Sequence, residues 1–243
     1  MKRAVVITGG GTVEPIDGVR SITNTGTGLL GSLLCDEAAA QGFFDEIIYL
    51  HGPGAILPKD PGIRSISITT AGHLLEEMER VCRQNAPAAI IHSMAVSDYT
   101  VASVVSLEDL RDCRSDSPEE MAQELESRDL RAAFHKIPST LSSPLILLRP
   151  TPKVIASLRK MALQAILVGF KLLDTVSHEE LMKIAAGQIQ KNDCDYVLAN
   201  DYDTIRRGCH EGYLLGRNGE EQHFIGKEGI ARGIMKTIRE DLS

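Results

Sequence analysis

Short apolar runs alternate with helix-length amphipathic segments along most of this chain of 243 residues, and this alternation restricts the fold more than any other feature. Strands that alternate with helices pair in parallel, and the helices then cover both faces of the sheet. The sequence therefore predicts an α/β protein with a doubly wound, mostly parallel sheet. The predicted strands are residues 3–8, 45–50, 63–68, 88–93, 143–149, 165–170 and 195–200, and the predicted helices are residues 28–42, 71–85, 151–162, 177–192 and 227–241.

Two segments depart from this regular alternation. Asn218-Gly219 lies between two strand-like runs, which predicts an antiparallel hairpin near the C-terminus. Residues 98–140 are polar and acidic, and an insertion of that length in a compact domain is usually functional or mobile. We expect this insertion to form a flap with a short helix inside it, within a single domain that spans residues 1–243.

Composition excludes several kinds of partner. The net charge is −7 and no basic cluster occurs, which argues against nucleic acid. The apolar runs are too short to span a membrane, and the N-terminal run meets glycines too early for an export signal. Five scattered cysteines without a C-x-x-C pair favour free thiols and a cytoplasmic location.

Gly26, Gly28 and Gly31 spell G-x-G-x-x-G, the letters of a Rossmann dinucleotide-binding turn. In a Rossmann turn this motif follows the first strand directly, whereas here Gly26 comes 17 residues after Gly9. No tyrosine is followed four residues later by lysine, so the short-chain reductase pair is also absent. The fold is thus predicted to be Rossmann-like, with an NADP-dependent reductase as the weaker functional alternative.

The same glycines suggest an anion site. We expect Asn24 or Thr25 to cap a helix whose first turn holds residues 26–28, where exposed backbone N–H groups and the positive helix end would attract phosphate. A second glycine cluster, which includes Gly10 and Gly11, follows the first strand at the sheet edge that binds ligands in doubly wound proteins. The alternative is a capped helix whose small residues only allow close packing.

Six motifs occur in a fixed order: ITGGGTVEPIDGVRSITNTGTGLLG, HSMAVSDY, HKIPS, LLRPTPKVI, VGFKLLD and LANDY. Together they resemble the phosphopantothenate–cysteine ligase family over residues 5 to about 202. "MAVSDYT" and "GFKLLD" are most similar to its stand-alone bacterial form.

The resemblance implies a two-step reaction in coenzyme A biosynthesis. The carboxylate of 4'-phosphopantothenate attacks the α-phosphate of a nucleoside triphosphate and releases pyrophosphate. The amine of L-cysteine then attacks the acyl nucleotide and releases the nucleoside monophosphate. CTP is the expected co-substrate, with ATP as the alternative, and Mg²⁺ would neutralise the triphosphate. The resemblance also implies a homodimer in which one subunit completes the site of the other.

Three residues match catalytic positions of that family. Asn24 would donate to the oxyanion that forms when cysteine attacks, Lys136 on the flap would meet charge on the α-phosphate, and Arg20 would bind substrate. Each has a structural alternative: a helix cap for Asn24, a solvated surface side chain for Lys136, and an ion pair with Asp17 or Glu14 for Arg20.

The remaining matches are nucleotide-binding positions. Residues 92–94 would meet the base through their backbone, Asp98 would bind ribose or metal, Phe170 would pack on the base, and Lys191 would reach the triphosphate. A turn for Asp98 and a core position for Phe170 are the alternatives, and the metal ligands stay unknown. The full set is Gly10, Gly11, Thr27, Gly28, His92, Ser93, Met94, Asp98, Pro152, Lys153, Val154, Ile155, Phe170 and Lys191.

Two departures from the family pattern concern the phosphates. Residues 24–28 lack the His and Ser side chains that the family usually has there, and Gly187 stands where a second triphosphate lysine would fall. Lys183 is a candidate to compensate for Gly187. The departures leave open a third alternative, a nucleotide-binding homologue without catalytic activity.

Overall fold

The computed structural model describes residues 3–243. The strands are β1 (Ala4–Gly9), β2 (Val13–Pro15), β3 (Ser21–Thr23), β4 (Glu46–His51), β5 (Arg64–Ser67), β6 (Ala89–His92), β7 (Tyr99–Val105), β8 (Leu145–Pro150), β9 (Ile166–Leu173), β10 (Tyr196–Asp201), β11 (Glu211–Gly216) and β12 (Glu221–Ile225). The α-helices are α1 (Leu29–Gln41), α2 (Ala71–Asn85), α3 (Leu107–Arg111), α4 (Pro118–Ser127), α5 (Val154–Met161), α6 (His178–Asn192), α7 (Tyr202–Arg206) and α8 (Gly226–Asp241).

The main sheet has eight strands in the order β12-β11-β10-β9-β6-β1-β4-β5. Pairing is parallel from β10 through β5, and β11 and β12 add an antiparallel hairpin at the other edge. Every residue of β1 is buried, since this strand lies inside the sheet with helices on both faces. The predicted α/β class, the doubly wound parallel sheet and the C-terminal hairpin are therefore confirmed.

Two apolar cores lie on opposite faces of the sheet. The first core packs under α2, α5 and α6, and includes Leu74, Leu158 and Ile189. The second core packs under α1 and α8, and includes Leu34 and Ile234. Because side chains alternate between faces along a strand, neighbouring residues of β6 and β9 belong to different cores.

The insertion is more regular than predicted. β7 and β8 form a separate antiparallel ribbon, and between them lie α3, α4 and a short 3-10 helix at Leu130–Ala132. The predicted strand at 143–149 therefore lies outside the main sheet, because β6 pairs directly with β9. Its half-exposed pattern suits a two-stranded ribbon better than a central parallel strand.

Candidate functional site

A cleft of about 610 Å³ opens at the carboxyl ends of β6 and β9, between α5 and α6. Ligands bind at this edge in doubly wound sheets. The cleft brings together nine of the predicted nucleotide-binding residues from four separate parts of the chain. They are His92, Met94, Asp98, Pro152, Lys153, Val154, Ile155, Phe170 and Lys191.

His92 ends β6 and forms the floor of the cleft. Its Nδ1 lies 3.0 Å from the Thr8 hydroxyl, which also accepts a hydrogen bond from the Met94 N–H at 3.2 Å. Burial lowers the pKa of His92 to about 4, so the imidazole is neutral at pH 7. Thr8 can donate its hydroxyl hydrogen to Nδ1, which would leave the proton on Nε2.

The first turn of α5 forms one wall. Val154 and Ile155 begin the helix, and their N–H groups precede the first intrahelical bond, from Ala156 N–H to the Lys153 carbonyl at 3.0 Å. Free N–H groups at a helix N-terminus bind anions. Pro152 precedes this turn instead of lying within it, because Lys153 is the N-cap, so the helix begins later than predicted.

The cleft is positively charged although the chain is acidic. It contains one carboxylate, Asp98, and three lysines, Lys153, Lys171 and Lys191. Lys153 forms an ion pair with Asp98, so Asp98 is held at the rim next to the α5 N-terminus. Two positive charges then remain uncompensated, which favours an anionic ligand.

Phe170 lines the cleft, but its side chain packs against the second core, on the opposite face of the sheet. Strand alternation explains this, because Gly169 and Lys171 take the face that looks toward α5 and α6. A contact between the Phe170 ring and the base stays a prediction, because Phe170 lines the cleft and is only partly buried.

The glycine-rich segments lie outside the cleft. α1 begins at Leu29, and its N-cap is Gly28 in a left-handed conformation (φ 74°) without a side-chain cap. The predicted cap at Asn24 or Thr25 is wrong, since residues 24–28 form a loop. A Cβ at Gly28 would lie 2.8 Å from the Ala55 Cβ, and one at Gly26 would lie 2.8 Å from the Gly10 carbonyl oxygen.

These glycines thus allow close packing among the first strand, the 24–28 loop and the loop around Ala55. Ser93 is also turned away from the cleft, because its hydroxyl donates to the Thr8 carbonyl at 2.5 Å. Nucleotide contacts stay a prediction for all fourteen residues. Five of them lie outside the cleft, namely Gly10, Gly11, Thr27, Gly28 and Ser93.

Asn24 lies beside the cleft. Its side-chain Nδ2 donates to the Ala95 carbonyl at 3.2 Å, and Ala95 lies between the cleft residues Met94 and Val96. This bond uses one N–H of the exposed Asn24 amide, and the amide has a second N–H that can donate to a ligand. The catalytic role predicted for Asn24 stays a prediction.

Arg20 and Lys136 lie away from the cleft, where the C-terminal part of the insertion packs against the β2–β3 hairpin. The Arg20 guanidinium binds the Asp17 carboxylate and also donates to the Ile137 carbonyl at 2.9 Å. Asp17 in turn accepts from the Ile137 N–H at 3.1 Å, and its pKa is held well below the usual value, chiefly by Arg20. This is the ion pair considered as the alternative for Arg20.

Lys136 is exposed next to this ion pair and does not line the cleft. The Asp17–Arg20 pair binds Ile137, and the Gly18 N–H donates to the His135 carbonyl at 2.8 Å, so the backbone on both sides of Lys136 is fixed to the β2–β3 hairpin. The roles predicted for Arg20 and Lys136 stay predictions. For Lys136 to contact a ligand in the cleft, the insertion would have to move, or the Lys136 of a second subunit would have to reach the cleft.

The cleft also contains residues that were not predicted from the sequence, and three polar ones among them are Ser97, Thr151 and Lys171. Thr151 donates to the Ser97 carbonyl at 2.5 Å, and the Ser97 hydroxyl is buried without a hydrogen-bond partner in the described chain. Their positions next to Asp98, Pro152 and Phe170 were the available signal. Lys183, the candidate to compensate for Gly187, does not line the cleft.

Across residues 3–243 there is no group of three or more His, Cys, Asp or Glu side chains suited to a metal ion. Asp98 is the carboxylate of the cleft, so Mg²⁺ would depend mainly on phosphate oxygens for its ligands. No helix in this same part of the chain is long and apolar enough to cross a bilayer.

Comparisons with known proteins identify the family of this chain. The model of the DNA/pantothenate metabolism flavoprotein C-terminal domain family matches residues 1–114 and 128–242. The coenzyme A biosynthesis bifunctional protein CoaBC of Thermococcus kodakarensis is 27% identical over 219 residues, which cover 89% of this chain and 45% of that protein. The chain spans about half the length of the curated relatives it matches.

Two solved structures share the fold. The DNA/pantothenate metabolism flavoprotein from Streptococcus pneumoniae has a TM-score of 0.86 and 32% identity, and the match covers 99% of this chain and 100% of that chain. A Cab2 mutant in complex with phosphopantothenate-cysteine has a TM-score of 0.67 and 17% identity, covering 98% of this chain and 86% of that chain. The family resemblance inferred from the six motifs is confirmed. The chain belongs to the DNA/pantothenate metabolism flavoprotein C-terminal domain family.

Proposed function

We propose that the protein is a phosphopantothenate–cysteine ligase that joins 4'-phosphopantothenate to L-cysteine at the expense of a nucleoside triphosphate. One observation carries the proposal: nine predicted nucleotide-binding residues from four distant segments line one positively charged cleft. The family supports it, and the Cab2 structure supplies a neighbour of the same fold with phosphopantothenate-cysteine bound.

In the first step, the substrate carboxylate attacks the α-phosphorus and the bond to the β-phosphate oxygen breaks, so pyrophosphate leaves. Charge builds on phosphate oxygens during this transfer. The N–H groups of Val154 and Ile155 and the ammonium of Lys191 supply fixed positive potential in the cleft for those oxygens. Mg²⁺, when bound to the triphosphate, would neutralise further charge, with Asp98 as the available protein carboxylate.

In the second step, the cysteine amine attacks the acyl carbon, loses a proton, and the nucleoside monophosphate leaves. A neutral amide suits the oxyanion of this step, because it donates a hydrogen bond without carrying charge. Asn24 is anchored through one N–H to Ala95 at the cleft edge, which leaves its second N–H for this purpose.

The base contact is proposed for the cleft floor. His92 is neutral and buried, and a proton on Nε2 would make it a donor to a base oxygen or ring nitrogen. We retain CTP as the expected nucleotide and ATP as the alternative. A homodimer and a cytoplasmic location belong to the same proposal.

The test is a reconstitution with purified protein, 4'-phosphopantothenate, L-cysteine, Mg²⁺ and either CTP or ATP. We expect equal amounts of pyrophosphate, nucleoside monophosphate and the amide product, identified by mass. Omission of cysteine should leave the acyl nucleotide bound to the protein. If neither nucleotide yields pyrophosphate, the ligase proposal is rejected, and nucleotide binding without turnover would identify a silent homologue.

A further inference from the structure

We infer that Lys171 binds the phosphate chain of the nucleotide, together with Lys191 on the opposite wall of the cleft. The inference rests on the proposed function for the identity of the nucleotide. The site itself is argued from the position of Lys171 on β9 and from the charges that surround it.

The direction of the Lys171 side chain follows from its strand. Leu167 and Leu173 share its parity along β9, and both pack in the first core beneath α5 and α6. Lys171 lies between them on that face, half-buried, at the carboxyl end of the strand. An ammonium group on this face enters the cleft instead of the solvent beyond the sheet edge.

The charges nearby leave Lys171 available. Lys153 is engaged with Asp98, the carboxylate that lines the cleft. Within residues 3–243 the ion pairs that involve a lysine are Lys153–Asp98 and Lys236–Glu240, so neither Lys171 nor Lys191 forms one. A half-buried lysine without an acidic partner is costly unless an anion joins it, so its position favours a ligand with negative charge.

The spacing of the positive groups favours a chain of phosphates over a single one. The α5 N-terminus, Lys171 and Lys191 come from three different walls of the cleft. Gly187, one turn before Lys191 on α6, also lines the cleft and leaves open space, because a Cβ built there would meet no atom within 4 Å. A single phosphate would occupy the α5 N-terminus and leave both lysines without an anion. In a triphosphate, the β- and γ-phosphates supply an anionic partner for each lysine.

The experiment measures binding without turnover. Calorimetric titrations with CTP, ATP, CMP and inorganic pyrophosphate are compared for the wild type, Lys171→Gln and Lys171→Arg. Lys160→Ala is the matched control, since Lys160 is exposed on α5 and does not line the cleft. We expect Lys171→Gln to weaken CTP binding about tenfold, as for the loss of one charge-assisted hydrogen bond, and CMP binding less than about twofold. Lys171→Arg should restore most of the difference.

The outcomes separate the two proposals. Equal weakening of CTP and CMP, or no change in either, would overturn the role of Lys171 even if the wild type forms the amide product. A loss confined to triphosphates and pyrophosphate, in a protein that forms no amide, would leave the polyphosphate site standing and reject the ligase. Absence of binding of all four compounds to the wild type would overturn both.

Discussion

Position 187 offers a way to separate helix stability from cleft charge. Gly187 is an exposed interior residue of α6, and a Cβ added there would meet nothing within 4 Å. Gly187→Ala should therefore raise the free energy of unfolding by about 0.8–1 kcal/mol, the difference in helix propensity between these residues. For a protein of this size, that corresponds to a rise in Tm of about 2–4 °C.

Charged replacements at position 187 should change protein stability and nucleotide affinity in opposite directions. Lys183 and Lys191 lie four residues on either side of position 187. A lysine at 187 would repel both by about 0.2–0.5 kcal/mol each, which cancels most of its propensity gain, whereas a glutamate would attract both by a similar amount. We expect the free energy of unfolding to be highest for Gly187→Glu, lower for Gly187→Ala, and lowest for Gly187→Lys, which should be close to the wild type.

Nucleotide affinity should follow the reverse order. Gly187→Lys adds a cation to the cleft one turn before Lys191 and should tighten CTP binding about three- to tenfold at low salt, while Gly187→Glu should weaken CTP binding by a similar factor. The assays are urea unfolding and calorimetric titration of the same preparations, repeated at high salt to screen the charges. Equal CTP affinity in the Lys and Glu variants would refute the placement of the phosphates beside α6, and an unchanged stability in Gly187→Ala would refute the open helical position.

Three further variants test the rest of the site. Asn24→Asp should release one equivalent of pyrophosphate in a rapid burst but slow amide formation about a hundredfold or more, since a carboxylate cannot donate to the oxyanion; normal turnover would contradict that role. His92 stays neutral in the folded protein down to about its lowered pKa, whereas in the unfolded chain it takes up a proton near pH 6.5. The free energy of unfolding should therefore fall by about 2 kcal/mol from pH 7 to pH 5. Urea unfolding of His92→Gln should lack this part of the pH dependence. The Asp17 carboxylate has a lowered pKa, so its contribution to stability is complete above about pH 4 and declines as pH falls from there toward the lower folded-state pKa. Asp17→Ala should speed hydrogen exchange at the Ile137 amide about tenfold at pH 7, and an unchanged rate would show that the insertion is held by other contacts.

The residues of the cleft could be predicted because the rules that place them are simple. β6 and β9 are buried parallel strands, and the carboxyl ends of such strands share one edge of the sheet. Once His92 and Phe170 were assigned to strand ends, and Lys153 to a helix start, their meeting at that edge followed. The direction of each side chain did not follow, since a one-residue change in where a strand alternates moves a ring such as that of Phe170 to the other face.

The ribbon of β7 and β8 was not predictable in the same way. Its strands pair across the whole insertion, with a register shift between Val101 and Ser103, and half of its surface stays exposed. The apolar run of β8 predicts a strand, whereas Thr100 and Ser103 interrupt β7, and the pairing of two distant segments leaves no local trace in the sequence.

The glycines show most clearly where sequence reasoning ends. Close packing of backbone and binding of phosphate both require residues without a Cβ, so the letters at Gly26 and Gly28 are the same for either purpose. Here their space is taken by Gly10 and Ala55, and the helix N-terminus that faces the cleft belongs to α5, which is preceded by Pro152 and Lys153. A helix N-terminus can bind an anion only where it faces an open cleft. The packing of the whole sheet decides whether the N-terminus of α1 or that of α5 does so.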